Sequence, residues 1–248
     1  RGGEPRTDHL PTLVRKTGWR WRGDYYDPAM PLNVELHFRF WDSGMEGFPV
    51  EGAEGFWARR VTRAVGPIEI PALAWEDTVR YAAWHITRHL LRGDLRAIHL
   101  YEFARLLDTT ADDDAFWTRL DLAAAEAIAV RLALACFGCR VHPSVRTLLD
   151  RLPARVEKWF DRFAISPLLG AARPNKDELL LHLLLAPAAG DRARILARRL
   201  APSRPPRRVR DPHAPGAAPR KPEWLFLLGR AWFHLRALAP LARNALRC

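Results

Sequence analysis

Glu35, His37 and Arg39 alternate with apolar residues in Pro31–Trp41, which reads PLNVELHFRFW. Leu32, Val34, Leu36, Phe38 and Phe40 take the intervening positions. A period of two over this length predicts a strand with one buried face. Its other face then presents a carboxylate, an imidazole and a guanidinium at intervals of roughly 7 Å. Glu is a hard oxygen ligand for a divalent cation, and Arg offers a bidentate fork to phosphate. The set therefore suits metal or phosphate chemistry. A solvated sheet face produces the same pattern, and spacing alone favours that plainer reading.

Three other groups carry chemistry-bearing side chains. His85 and His89 lie one helical turn apart, a spacing that can bind a metal. A zinc-protease signature needs Glu at position 86, where Ile86 stands. The pair is expected instead to hydrogen-bond to the next helix or to face a domain junction. Cys136-Phe137-Gly138-Cys139 is a C-x-x-C with His142 three residues on. A metal site would want more ligands, and a redox dithiol would want a strand–turn–helix setting. The expectation is that Cys136 packs in a core and Cys139 follows a helix stop at Gly138. Asp112-Asp113-Asp114 runs into a helical pattern and is read as a helix N-terminus, where acids favour the dipole and one can cap.

The elements that must position these groups are mostly helices. Trp75–Leu91 has Trp75, Val79, Ala82, Ala83, Ile86 and Leu90 on one face, with Tyr81, His85 and His89 in line beside it. Helices are also expected at Leu95–Leu107, Asp112–Leu120, Leu122–Phe137, Pro143–Leu152, Ala154–Phe163, Asn175–Leu185 and Arg192–Leu200. Upstream, a short strand through Trp19–Arg22 is expected to pair with Pro31–Trp41 in the only sheet. Asp42–Gly55 is a Gly-rich loop without phosphate-loop spacing. Phe56–Val65 reads as a short helix and Gly66–Leu73 as extended. Seven prolines between Pro202 and Pro222 make 201–222 an extended linker. Beyond it, 223–248 reads as a basic amphipathic helix, expected to dock on the body, with a partner or an anionic membrane surface as alternatives.

The chain has 248 residues, 48% hydrophobic and 27% charged, with a formal charge of +11. That is a globular composition. Ten Arg and Lys against two acids between Gly190 and Lys221 hold most of the excess. Clustered charge of this kind attracts phosphate backbones. Arg198, Arg199, Arg204, Arg207, Arg208 and Arg210 are accordingly the candidate anion or nucleic-acid contacts, although no aromatics are interleaved. No run approaches the roughly 18 apolar residues of a membrane span. Three cysteines and no secretory signal fit a reducing, cytoplasmic setting.

Val34-Glu35-Leu36-His37-Phe38-Arg39-Phe40 resembles the strand motif of a family of uncharacterised nucleotidyltransferases within the DNA-polymerase-beta-like superfamily. Asp8-His9-Leu10-Pro11-Thr12-Leu13 resembles the lead-in to that strand. Trp75-Glu76-Asp77 with His85 and His89 resembles the acid-led helix that follows. Leu95-Arg96 and Glu102-Phe103-Ala104-Arg105-Leu106-Leu107 resemble the next helix, with Glu102 where the family usually has Asp.

The resemblance implies an α+β, predominantly α fold. A small antiparallel remnant of a nucleotidyltransferase palm (1–43) would precede an α-helical domain (44–200). It also implies transfer of a nucleoside monophosphate from an NTP to an acceptor by a two-metal mechanism. Glu35 would be the third Mg²⁺-holding carboxylate, with His37, Arg39, His85 and His89 as possible flanks of the site. The Gly-Ser and Asp-x-Asp motifs that supply the first two carboxylates have no counterpart in the expected place. The chain begins at Arg1 and is expected to be the C-terminal part of a longer protein. The alternative from a different class is a non-catalytic helical binding or scaffold protein with a basic surface.

Overall fold

The computed structural model describes residues 13–14, 28–29, 33–34, 39–169 and 176–200, with isolated positions between 228 and 244. Glu35, His37 and the linker arginines Arg204, Arg207, Arg208 and Arg210 lie outside the described residues. So do Trp19–Arg22.

The fold is predominantly helical with small antiparallel ladders. Strand β1 (Leu13–Val14) pairs with β2 (Asn33–Val34), Leu13 opposite Val34. The expected strand therefore finds its described partner at Leu13–Val14, and Val34 is exposed. Helix α1 (Ser43–Glu46) occupies the Gly-rich loop.

A second ladder corrects the reading of 56–65 as helix. Turns follow Phe56, and β3 (Val61–Val65) then pairs with β4 (Ile68–Ala72). Val65 faces Ile68 across the two residues Gly66 and Pro67. Gly66 has φ +60°. A positive φ at the first loop residue followed by Pro's fixed negative φ suits a tight hairpin turn matched to strand twist. β-branched residues do the rest, and Pro71 is tolerated because a two-stranded ribbon is all edge.

The helical body follows in order. It comprises α2 (Trp75–Arg92), α3 (Ala97–Thr110), α4 (Asp114–Trp117), α5 (Ala124–Phe137), α6 (Pro143–Leu149), α7 (Ala154–Phe163), α8 (Asp177–Leu185) and α9 (Ala189–Leu200). The Ala-rich α5 is the centre. It packs on α2, α3, α6 and α7, with Ala125, Ala127, Ile128, Ala129, Val130, Leu132 and Ala133 all buried. Small side chains on several faces let neighbouring helices approach closely, each buried methylene contributing about 0.8 kcal/mol. Val79, Ala83, Ile86 and Leu90 of α2 enter this core as their spacing predicts, whereas Trp75, at the start of the same face, is exposed. A smaller cluster joins Trp41, Phe56, Trp84 and Ala125, with Phe56 stacked on Trp84 at 4.9 Å.

Buried polar groups are tied into this frame. Glu126 is 1% exposed. Its Oε2 accepts from the Ala123 N–H (3.1 Å), and its Oε1 accepts from Trp84 Nε1 (2.9 Å) and Arg80 Nε (3.1 Å). Trp117 Nε1 donates to Thr110 O and Trp159 Nε1 to Asp177 O. Each indole thus keeps a partner while burying its rings.

Of 223–248, the described residues touch the body at three points. Ala237 is buried, Leu241 packs against the core, and Asn244 Nδ2 donates to Asp177 Oδ1 at 2.7 Å. Leu228 and Trp232 are exposed. Among the described residues no helix is long and apolar enough to cross a membrane.

Candidate functional site at the α2–α3 corner

The corner between α2 and α3 gathers more imidazole than any other described part of the chain. Gly93 ends α2 with φ +78°, a left-handed conformation that L side chains rarely adopt. Its N–H donates to His89 O, and the Asp94 N–H also donates to His89 O. The turn folds Asp94 back, so that Asp94 Oδ1 lies 2.9 Å from His89 Nδ1. On the other side of the ring, His89 Nε2 lies 3.0 Å from His85 Nε2. His99, on the returning helix α3, meets His85 edge-on at 4.9 Å and stacks on His89 at 5.9 Å between centroids.

Proton positions follow from these contacts. A carboxylate can only accept, so His89 donates through Nδ1. Its Nε2 faces His85 Nε2, and which of the two donates is set by the His85 tautomer. Burial pushes the Asp94 carboxyl upward, but the His89 hydrogen bond and the charges of His89 and Arg92 outweigh it and hold it below the usual range. Burial, joined by the positive charges of His89 and Arg96, depresses His99.

The described end of the candidate strand comes to the same helix line. Phe40 meets Tyr81 edge-on at 5.4 Å, and Tyr81 lies 6.0 Å from His85. Arg39, the described member of the Glu-His-Arg face, bonds Asp42 Oδ2 through Nη1 at 2.9 Å. Phe40 thus lies beside the histidine line. The structure also adds Asp94 and His99, which the sequence reading missed. The signal for them was a Gly-Asp turn followed by a third His shortly after two at helical spacing.

The other candidate groups are structural. Asp113 caps α4 by accepting from Phe116 N at 2.9 Å. Asp114 bonds His142 Nε2 at 2.7 Å, and Asp112 pairs with Arg140 at 2.9 Å. His142 also stacks on Trp117 and caps α6. Gly138 stops α5 with φ +60°. Burial, with the Asp108 charge, pushes the buried Cys139 thiol up to about 11, and burial raises Cys136 as well. Neither is a reactive thiolate near neutrality.

Arg198 and Arg199 tie α9 to the body. Arg198 Nη1 donates to Gly44 O at 2.6 Å. Arg199 donates to Leu91 O and Arg92 O at the end of α2 and pairs with Glu178. Beneath them Glu46, 1% exposed, accepts from Arg92 Nε at 3.0 Å, and His182 Nε2 donates to Glu46 O. Among the described residues, no group of three or more His, Cys, Asp and Glu could hold a metal ion as it stands.

A family model for uncharacterised nucleotidyltransferases matches residues 6–142, more than half of the chain. The chain therefore belongs to that nucleotidyltransferase family. The match runs from the lead-in through the candidate strand, both histidine-bearing helices and α5. No curated protein and no solved structure gives a significant match.

Proposed function

We propose that the protein transfers a nucleoside monophosphate from an NTP to an acceptor, with Glu35 as a metal-holding carboxylate. An acceptor oxygen or nitrogen attacks the α-phosphorus, the bond to the β-phosphate oxygen breaks, and pyrophosphate leaves. His37 and Arg39 share Glu35's face by strand periodicity, and a guanidinium there suits a phosphate. Family membership supports the reaction class. The observation that carries the reading is the family match over residues 6–142, which spans Glu35; Phe40, which meets Tyr81, lies on the opposite face of the strand by the same periodicity.

Mg²⁺ belongs to this reading through the carboxylate set of the resembled superfamily. The described residues do not by themselves compose that set, and Asp112–Asp114 is occupied in capping and pairing. The test is label transfer from an α-phosphate-labelled NTP by the complete protein. Glu35→Ala is expected to lower the rate at least 100-fold, as loss of a charge-stabilising group does. Undiminished metal-dependent transfer would show that Glu35 is not a ligand.

A further inference from the structure

The α2–α3 corner supports a second kind of chemistry, independent of whether the protein transfers nucleotides. Two features distinguish His85 and His89 from an ordinary pair of helical histidines. First, their Nε2 atoms face each other at 3.0 Å. Two nitrogens bound at about 2.05 Å to one tetrahedral ion lie about 3.3 Å apart. The separation is within a few tenths of an ångström of the chelating one, and each ring must also turn to aim its lone pair at the shared ion. Second, Asp94 Oδ1 takes the proton of His89 Nδ1 at 2.9 Å. A carboxylate behind an imidazole fixes the tautomer that leaves Nε2 as a lone pair, raises its basicity and sets the ring's orientation.

We propose that His85 and His89 form a two-histidine chelate for a late first-row divalent cation of the Zn²⁺ class, with Asp94 as the carboxylate that orients His89. Nitrogen donors select this class over Mg²⁺, which prefers oxygen. On binding, the ion replaces the proton held between the two Nε2 atoms, which passes to solvent, so that both Nε2 lone pairs face the ion. Two protein ligands leave the remaining positions to water or to oxygen atoms of a ligand. The site is thus open rather than a closed structural one. His99 flanks it without serving as a ligand in the arrangement described.

The test is calorimetric titration of the chelator-stripped full chain with ZnCl₂, alongside ¹⁵N NMR of the histidine side chains. The expected result is 1:1 binding that shifts His85 and His89 Nε2 and leaves His142 unmoved. Asp94→Asn is expected to weaken binding by about 10- to 100-fold, as loss of such a partner does. The double variant His85→Gln/His89→Gln is expected to abolish it. If the double variant does not fold, the wild-type nitrogen shifts decide. Absence of stoichiometric binding, binding that survives in a folded double variant, or binding that leaves the His85 and His89 nitrogens unmoved would each overturn the proposal.

Discussion

Asp94 reaches His89 because one glycine permits the turn. A Cβ on Gly93 would meet Glu178 Oε1 at 2.9 Å and Arg199 Nη2 at 3.1 Å, on a backbone already at φ +78°. Gly138 has a comparable φ, +60°, but nothing lies within 4 Å of its would-be Cβ. The two sites separate backbone strain from crowding. Gly138→Ala is expected to cost about 1 kcal/mol, the penalty of a left-handed conformation alone. Gly93→Ala is expected to cost about 2 kcal/mol, since a buried ion pair must also shift. Urea denaturation of both variants checks this, and equal losses would remove the crowding argument. Residue types were legible at this scale in part. Asp113, Gly138 and the two cysteines stand where caps, stops and packing require. Asp94 and His99 were not legible, because their approach to His89 depends on how the turn and the returning helix close.

At the scale of elements, α7 occupies Ala154–Phe163 as its spacing predicts, and α2 and α5 differ from expectation by one or two residues. Helical periodicity over several turns leaves little alternative. The 56–65 segment was misread because its apolar and basic residues fit either period, and the deciding feature was the Gly66-Pro67 turn. Arg198 and Arg199 of α9 were read as candidate anion contacts, and they reach Gly44 and the end of α2, a pairing set by tertiary contact rather than by local pattern. This junction predicts an acid sensitivity. Burial, above all, lowers the His182 pKa, although its bond to Glu46 O opposes this. A base depressed in the folded state binds fewer protons there than in the unfolded chain. Its contribution is present above the ordinary histidine pKa of about 6.5 and is lost as pH falls below it. The wild type is expected to lose more stability than His182→Gln between pH 7.5 and 5.5. Parallel losses in urea titrations would exclude His182 as the source.

At the scale of the whole molecule, an Ala-rich helix at the centre of the bundle carries α2 and α3 on one side. Those two helices present the histidine corner, and Phe40 packs beside Tyr81 on the same line. The family was legible because short motifs stood in the family's order and the family match spans them. The corner was not, since it forms only when two helices and a turn come together.

The central claim is that this corner and the strand belong to one nucleotide site. The most direct measurement is ¹⁵N NMR of the histidine side chains during titration with Mg²⁺ and NTP. The account predicts movement of His85, His89 and His99, with His142 and His182 unchanged. Equal movement of all five, or movement confined to His142 and His182, would contradict it.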